Sequence, residues 1–168
     1  MRKRFLVAAL TLLSCAPAAA GFRGALYDMT EPTTVPNIFY SAPYVNVAYR
    51  GKIYDTDQLM DETNYQQFVV PRGVSKVRLK CGFIWTYQPA PSRVQIVITK
   101  NHGFYPGLTP HNQPSLGGGT TDDITIATHV LPVVPGDTFQ CAAWQSQLTE
   151  DGPPRDIRVS SFSIEIVE

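Results

Sequence analysis

Cysteine and histidine are the side chains of this sequence best suited to redox, metal or nucleophilic chemistry, and the chain has three of each. Cys81 and Cys141 fall at inward positions of two predicted strands. They could form a disulfide in an oxidising compartment or remain two separate buried thiols, and neither arrangement leaves a reactive thiolate. His102 and His111 share one predicted loop, where nothing fixes their spacing for a metal ion, so we predict neither a metal site nor a cofactor.

A cluster of acidic residues, Asp55, Asp57, Asp61 and Glu62, could supply hard oxygen ligands to Ca²⁺. The residue order of an EF-hand loop is absent, however. We expect instead a solvated acidic loop whose Asp side chains accept hydrogen bonds from nearby backbone N–H groups, with Ca²⁺ binding as the alternative.

No set of residues in the sequence indicates catalysis. The chain has no Gly-x-Ser-x-Gly nucleophile elbow, and its Gly117–Gly119 run lacks the Lys and the following helix of a phosphate-binding loop. Because a nucleophile, a base and an orienting group are not found together in a recognisable pattern, we predict that the protein is not an enzyme.

Aromatic and amide residues in loops give the stronger functional signal, because such side chains suit adaptable polar recognition of protein or sugar surfaces. The candidate binding residues lie in two loops beside predicted strand ends: Tyr87, Gln88, His102, Phe104, Tyr105, His111 and Asn112. The alternative is that these side chains pack against their own domain or against a neighbouring copy of the chain. Trp85 and Trp144 are expected in the core or in an interface.

The elements that must position these residues are predicted to be β-strands. Across Val74–Trp85, apolar side chains alternate with charged ones, which is the period of a strand with one wetted face. Arg93–Thr99 and Ile157–Val167 alternate in the same way, and 14 Pro and 12 Gly divide the chain into short segments. We therefore predict an all-β domain of eight to ten strands, with Asn101–Thr121 as a long loop.

The same distribution of Pro and Gly excludes a helical bundle. Past the N-terminal segment, only Lys52–Val70 continues for long without either residue. Within it, Asp57–Phe68 could form one helix capped by Asp57. Thr63 and Asn64 interrupt its apolar periodicity, so we favour a non-helical structure there.

The N-terminal segment is typical of an export signal. Basic residues at positions 2–4 precede an apolar run, Phe5–Leu13, that is too short to span a bilayer, and small residues follow at Ala18–Ala20. We predict a signal peptide over residues 1–20 and one domain over residues 21–168, secreted after cleavage.

A second cleavage site is also present in this segment. Leu12–Cys15 resembles a bacterial lipobox, in which Cys15 would be lipidated and would anchor the protein in the cell envelope. The sequence therefore predicts either a secreted product or a lipoprotein of the periplasm or outer surface. No other segment is apolar enough to predict a membrane span.

The charge of the chain excludes two classes of partner. The full sequence carries 14 basic and 14 acidic residues, and removal of the signal would take away basic residues only. A mildly acidic domain without a basic block argues against electrostatic binding to nucleic acid or to anionic lipid.

The order of several short segments resembles the tumour-necrosis-factor-like jelly roll, specifically its complement C-one-q-like branch as found in bacterial and phage proteins. The resemblance extends over Arg23–Val167, and the order and spacing of the segments carry it. The matching segments are Arg23–Ala25, Tyr54–Asp57, Phe68–Val74, Phe83–Trp85, Ile96–Asn101, Val134–Phe139 and Ser161–Ile164.

This resemblance implies a ten-stranded jelly-roll sandwich of two antiparallel sheets that assembles as a compact homotrimer. It also implies that the strands holding Cys81 and Cys141 are adjacent, which favours the disulfide. The cysteine pair and the lack of a collagen-like stalk depart from the general pattern, so trimerisation would depend on the domain alone.

The function that follows from the resemblance is adhesion or ligand recognition by loops at strand ends, without catalysis, on a protein or carbohydrate surface. The alternative is a structural trimerisation or assembly domain of an envelope or phage-like particle, with no ligand site of its own.

Overall fold

The structure, a computed structural model, describes residues 22–37, 44–86, 92–104, 111–115, 123–147 and 154–168. Over these residues the chain forms thirteen β-strands and no helix, which confirms the all-β prediction. The strands are β1 (Gly24–Asp28), β2 (Thr33–Val35), β3 (Val45–Asn46), β4 (Gly51–Asp55), β5 (Gln67–Val69), β6 (Lys76–Trp85), β7 (Ser92–Lys100), β8 (Gly103–Phe104), β9 (His111–Ser115), β10 (Asp123–Ala127), β11 (Leu131–Pro132), β12 (Thr138–Gln147) and β13 (Arg155–Ile166).

The strands form two antiparallel sheets that stack as a sandwich. In the first sheet the order is β10-β6-β13-β1-β4, with β11 also paired to β6 and β2 to β13. In the second sheet the order is β3-β12-β7-β8, with β5 also paired to β12 and β9 to β7. Strands that are distant in sequence therefore lie side by side, as the Greek-key connections of a jelly roll require.

The number of strands exceeds the expected ten because several strands are interrupted. β10 and β11 both pair with β6, β8 and β9 both pair with β7, and β3 and β5 both pair with β12. The interruption between β10 and β11 contains Thr128, whose hydroxyl oxygen accepts a hydrogen bond from the N–H of Leu79 on β6 at 3.0 Å. A side-chain acceptor in place of a backbone carbonyl interrupts the regular ladder at this point.

The core lies between the two sheets and follows the predicted alternation. On β6, which begins with the exposed Lys76, every second residue is buried. Leu79, Cys81 and Trp85 are fully buried. Facing them from the second sheet are Ile96 and Ile98 of β7 together with Phe139 of β12. Burial of this apolar surface is the main force that holds the sheets together.

The prediction that Asn101–Thr121 forms one long loop is wrong. β8 and β9 lie within this segment and pair with β7 along the edge of the second sheet. β9 has the sequence His-Asn-Gln-Pro-Ser, which shows no alternation of apolar and polar residues. An edge strand needs only one neighbour and tolerates Pro, so its pairing with β7 rather than its own pattern makes it a strand.

The non-helical prediction for Asp57–Phe68 is confirmed. The N–H of Thr63 donates to Asp61 Oδ1 at 3.0 Å, and the N–H of Gln66 donates to Asn64 Oδ1 at 2.9 Å. Such side-chain acceptors replace the carbonyls that a helix would use. The described part of the chain contains no helix long and apolar enough to cross a membrane.

A disulfide joins Cys81 on β6 to Cys141 on β12, with their Cα atoms 6.4 Å apart, which confirms the predicted bond. The expectation that their strands are adjacent does not hold within a sheet, because β6 belongs to the first sheet and β12 to the second. The bond therefore crosses the core. Beside it, the buried hydroxyl of Tyr49 lies 2.9 Å from Ser160 Oγ and 3.4 Å from Cys81 Sγ.

Candidate functional site

Four of the predicted recognition residues lie along one edge of the second sheet. His102 lies in the turn between β7 and β8, and the other three lie on the strands that pair with β7. For these three the placement is that of the backbone, and the paired positions are Phe104 with Thr99, His111 with Ile96, and Asn112 with Gln95. Residues from the start and from the middle of the predicted Asn101–Thr121 loop therefore lie on the same edge of the sheet.

The β7–β8 turn holds His102 in an uncommon backbone conformation. Lys100 pairs with Gly103, so Asn101 and His102 form a two-residue hairpin loop. Both have positive φ, 51° at Asn101 and 62° at His102, as a type I′ turn requires. Asn tolerates this left-handed conformation well, whereas the second position usually carries Gly. The turn holds His102 exposed at the sheet edge.

Side-chain hydrogen bonds fasten this turn to the start of β12. Asn101 Nδ2 donates to Asp137 Oδ1 at 2.9 Å, and Asn101 Oδ1 accepts from the N–H of Thr138 at 2.8 Å. Lys100 Nζ adds an ion pair to Asp137 Oδ2 at 2.7 Å. The edge hairpin is therefore preorganised by contacts to the neighbouring strand rather than held by its own turn alone.

Asp137 is the charged centre of this network, and its side chain is only 6% exposed. Burial by itself would raise the pKa of the carboxyl group. The ion pair with Lys100 and the hydrogen bonds from the N–H of Val134 and the amide of Asn101 outweigh burial and lower the pKa of Asp137 below its ordinary value. Asp137 is thus a structural anion, not a proton donor.

The imidazole of His102 reaches back to β12. Its Nδ1 lies 3.1 Å from Oε1 of Gln140, where a protonated Nδ1 donates and the carbonyl oxygen accepts. In the neutral ring this arrangement makes Nε2 an acceptor. His102 is therefore oriented by one ring nitrogen and can receive a hydrogen bond from a ligand on the other.

Several predicted residues lie outside the described part of the chain. These are Tyr87, Gln88 and Tyr105 of the candidate binding set, and Cys15 with the predicted signal peptide over residues 1–20. Their assignments remain predictions.

The carboxylates of Asp55, Asp57 and Asp61 in the acidic loop accept hydrogen bonds from other groups of the chain. The donors are Tyr27 and the backbone of residues 57, 59 and 60 to Asp55; Arg23 and Thr56 to Asp57; and Thr63 and Gln67 to Asp61. Hydrogen bonding from Arg23 lowers the pKa of the Asp57 carboxyl. Among the described residues, no three His, Cys, Asp or Glu side chains are grouped so that they could hold a metal ion. This geometry is that of a hydrogen-bonded acidic loop.

Sequence reasoning missed a polar and aromatic patch on the outward face of the second sheet. Trp85 is fully buried as expected, but Trp144 is only half-buried and faces outward from β12, opposite Gln95 of β7. The alternation of side chains along β12 could have predicted this orientation. Cys141 and Ala143 face the core, so Trp144 must face outward.

Comparison with known proteins identifies the fold but no sequence family. No protein-family profile matches the chain, and no curated protein matches it. Among solved structures, Eiger TNF from S. frugiperda has 12% sequence identity and a TM-score of 0.50, over 88% of this chain and 93% of that one. This chain has the tumour-necrosis-factor-like jelly-roll fold.

A second solved structure, the globular domain of zebrafish complement 1qA protein, has 12% identity and a TM-score of 0.49, over 88% of this chain and 98% of that one. At such identities the likeness concerns the fold, and the function of the jelly-roll domain must be argued from its own residues.

Proposed function

We propose that the protein is an exported, non-enzymatic jelly-roll module, homotrimeric, that recognises a protein or carbohydrate surface through the loops and edge around β7, β8 and β9. The supporting observation is that Phe104, His111 and Asn112 lie on the two strands that pair with β7, and that the exposed residue His102 lies in the turn at the end of β7. Tyr87, Gln88 and Tyr105, which lie outside the described residues, are included in the proposal on their sequence alone.

The proposed mechanism is avidity. A homotrimer presents three identical copies of a weak site in fixed geometry, and a multivalent surface then binds the second and third copies without further loss of translational freedom. The ordered hairpin at Asn101 and His102 supports this mechanism, because a rigid site loses less conformational entropy on binding.

Export is supported by the disulfide, since such bonds persist in oxidising compartments. We propose that the signal over residues 1–20 directs the chain out of a bacterial cell, with lipidation at Cys15 as the alternative to release. Mass spectrometry of the purified protein separates them, because a lipidated Cys15 and a free Gly21 give different N-terminal masses.

The second candidate function, an assembly domain without a ligand site, is favoured by the outward face of the first sheet. The register aligns Thr125, Gly82 and Ser161 in one row across β10, β6 and β13. Small side chains in a row leave a flat surface that another copy of the chain could approach closely.

The oligomeric state tests the trimer. Sedimentation of residues 21–168 should give three times the protomer mass, and Ser161→Arg should dissociate it because a long charged side chain enters the row. Ser75→Arg, a matched change at an exposed loop position, should not. A wild-type protein that sediments as a monomer contradicts both candidate functions.

Ligand recognition is tested separately with arrays of immobilised extracellular proteins and glycans. Replacing Tyr105 and His111 by Ala should weaken binding to any target found, without changing the oligomeric mass. Lys76→Ala, an exposed change on the first sheet, is the control. Unchanged target affinity in the double variant would favour the assembly domain.

A further inference from the structure

The outward face of the second sheet carries an aromatic residue surrounded by polar side chains. Trp144 faces outward from β12 and is half-buried, and Gln95 lies opposite it on β7. The hydroxyl of Tyr44 donates to Gln95 Oε1. Tyr44 directly precedes β3, which pairs with the other side of β12. Its side chain therefore crosses β12 at the level of Trp144 and fixes the amide of Gln95 beside the indole.

A cation lies next to this group. Arg93 is exposed on β7 and pairs with Ser146, two residues along β12 from Trp144. Diagonal neighbours on one face of a sheet are about 7–8 Å apart. That distance allows a six-membered ring stacked on the indole to place an attached anionic group at the guanidinium of Arg93.

The charge of the whole face agrees with an anionic ligand. The outward positions of β7 and β12 are Arg93, Gln95, Val97, Thr99, Thr138, Gln140, Ala142, Trp144 and Ser146. None of these side chains is acidic, so no carboxylate on these two strands opposes an anion at Arg93. Val97 and Ala142 are fully buried although they are absent from the core cluster between the sheets. Because these two side chains have no exposed surface, a ligand can contact only the end of this face that carries Trp144 and Arg93.

We infer that this patch, formed by Trp144, Gln95, Tyr44 and Arg93, binds acidic carbohydrate. The apolar C–H face of a pyranose ring packs on the indole, and the hydrogen bond between Tyr44 and Gln95 holds the side chains next to the indole in place. Arg93 holds the carboxylate of a uronic or sialic acid by charge-assisted hydrogen bonds. This inference rests on the proposed function, because it takes the module to recognise a ligand. It adds the chemical class of that ligand and a second binding surface, separate from the loop residues of the proposed function.

The test uses the two indole N–H signals in the ¹H–¹⁵N spectrum of the mature protein, one from each tryptophan of the chain. The probes are sialyllactose, a glucuronic-acid oligosaccharide and uncharged lactose. Titration with the acidic probes should shift the Trp144 signal saturably and leave the signal of the buried Trp85 unchanged. If neither acidic probe shifts the Trp144 signal, the inference is overturned.

Variants then separate stacking from charge. Trp144→Ala should abolish binding, and Trp144→Phe should retain part of it, which guards against a loss caused by misfolding. Arg93→Gln should lower the affinity for the acidic probes about tenfold, because one charge-assisted contact is lost, and should leave any affinity for lactose unchanged. Lys80→Gln, which removes an exposed cation on the first sheet, is the matched control. Full binding by folded Trp144→Ala would overturn the inference.

The two proposals fail in different ways. If Trp144→Ala removes glycan binding while the Tyr105 and His111 double variant keeps it, loop recognition fails and the glycan face stands. If the double variant removes binding to an array target while the acidic probes leave the Trp144 signal in place, the glycan face fails and loop recognition stands.

Discussion

Cys81 and Cys141 lie on facing sheets, 60 residues apart in sequence, and their disulfide is a covalent link across the core. Because both side chains are fully buried, the bond is shielded from reductants while the sandwich is folded. It restricts the unfolded chain, since it closes a long loop.

Removing this bond should lower stability strongly. For the double variant Cys81→Ala with Cys141→Ala we expect a loss of about 4 kcal/mol in the free energy of unfolding, from the loop-closure entropy of 60 residues. Urea unfolding followed by tryptophan fluorescence measures it. Reduced wild-type protein should unfold at a similar midpoint, and a loss below about 1 kcal/mol would show that the bond contributes little.

Gly24 should not tolerate a side chain. A Cβ at this position would lie 2.2 Å from the carbonyl oxygen of Ile164 on β13, and φ is +155°. Gly24→Ala must therefore push β1 away from β13, and we expect destabilisation of at least about 3 kcal/mol.

The control for this substitution is Gly103→Ala. Its Cβ would lie 3.7 Å from the nearest atom, the carbonyl oxygen of Lys100, which is an ordinary contact. Thermal unfolding should show a large decrease in Tm for the Gly24 variant only. Equal Tm values for both variants would contradict the close approach of β1 to β13.

Asp137 should make stability depend on pH. Its pKa is lowered in the folded state, so its contribution is fully present above the unfolded-state pKa near 4 and is lost as the pH falls through the lower folded value. Asp137→Asn should cost about 3 kcal/mol at neutral pH, because Lys100 loses a partner whose side chain is almost fully buried.

The difference between wild type and Asp137→Asn should shrink in acid, where the wild-type carboxyl is also neutral. Unfolding free energies measured at pH 7 and at pH values below about 4 provide the comparison. Glu165→Gln, which breaks the exposed ion pair with Arg78, should cost less than about 1 kcal/mol throughout. A constant difference for Asp137→Asn across the pH range would refute the assignment.

The β7–β8 turn should discriminate between side chains at position 102. His102 has φ of 62°, which a β-branched residue adopts only with strain. We expect His102→Val to destabilise by about 1–2 kcal/mol and His102→Asn to remain within about 0.5 kcal/mol of wild type. Chemical denaturation of the two variants measures this. Equal stability of the Val and Asn variants would argue against a type I′ turn.

Alternation was sufficient to predict the central strands. Leu79 and Cys81 alternate with Arg78 and Lys80, so only one register buries an apolar face and leaves the charges in water. The edge elements could not be predicted in this way. β9 reads as a polar loop with Pro114, and it is a strand because β7 offers it unpaired backbone groups.

The candidate site, too, was predictable only in the features that depend on local sequence. The loop composition indicated recognition, but the position of Phe104, His111 and Asn112 on one sheet edge depends on the pairing of β8 and β9 with β7, which their own sequences do not indicate. The outward orientation of Trp144 could have been predicted from the sequence of β12, because alternate residues of a strand face opposite sides of the sheet. Its neighbours Gln95 and Tyr44 come from other strands and are joined to it only by the assembled sheet.

The sequence by itself determined the all-β class, the inward position of both cysteines and the polar character of the loops. Each of these follows from local periodicity and composition. Only the tertiary structure decided that the disulfide joins facing sheets and that an aromatic, cationic face forms around Trp144. The physical reason is that strand pairing is non-local. The residues that meet across a sheet are selected by the hydrogen-bond register between distant segments, which no single segment encodes.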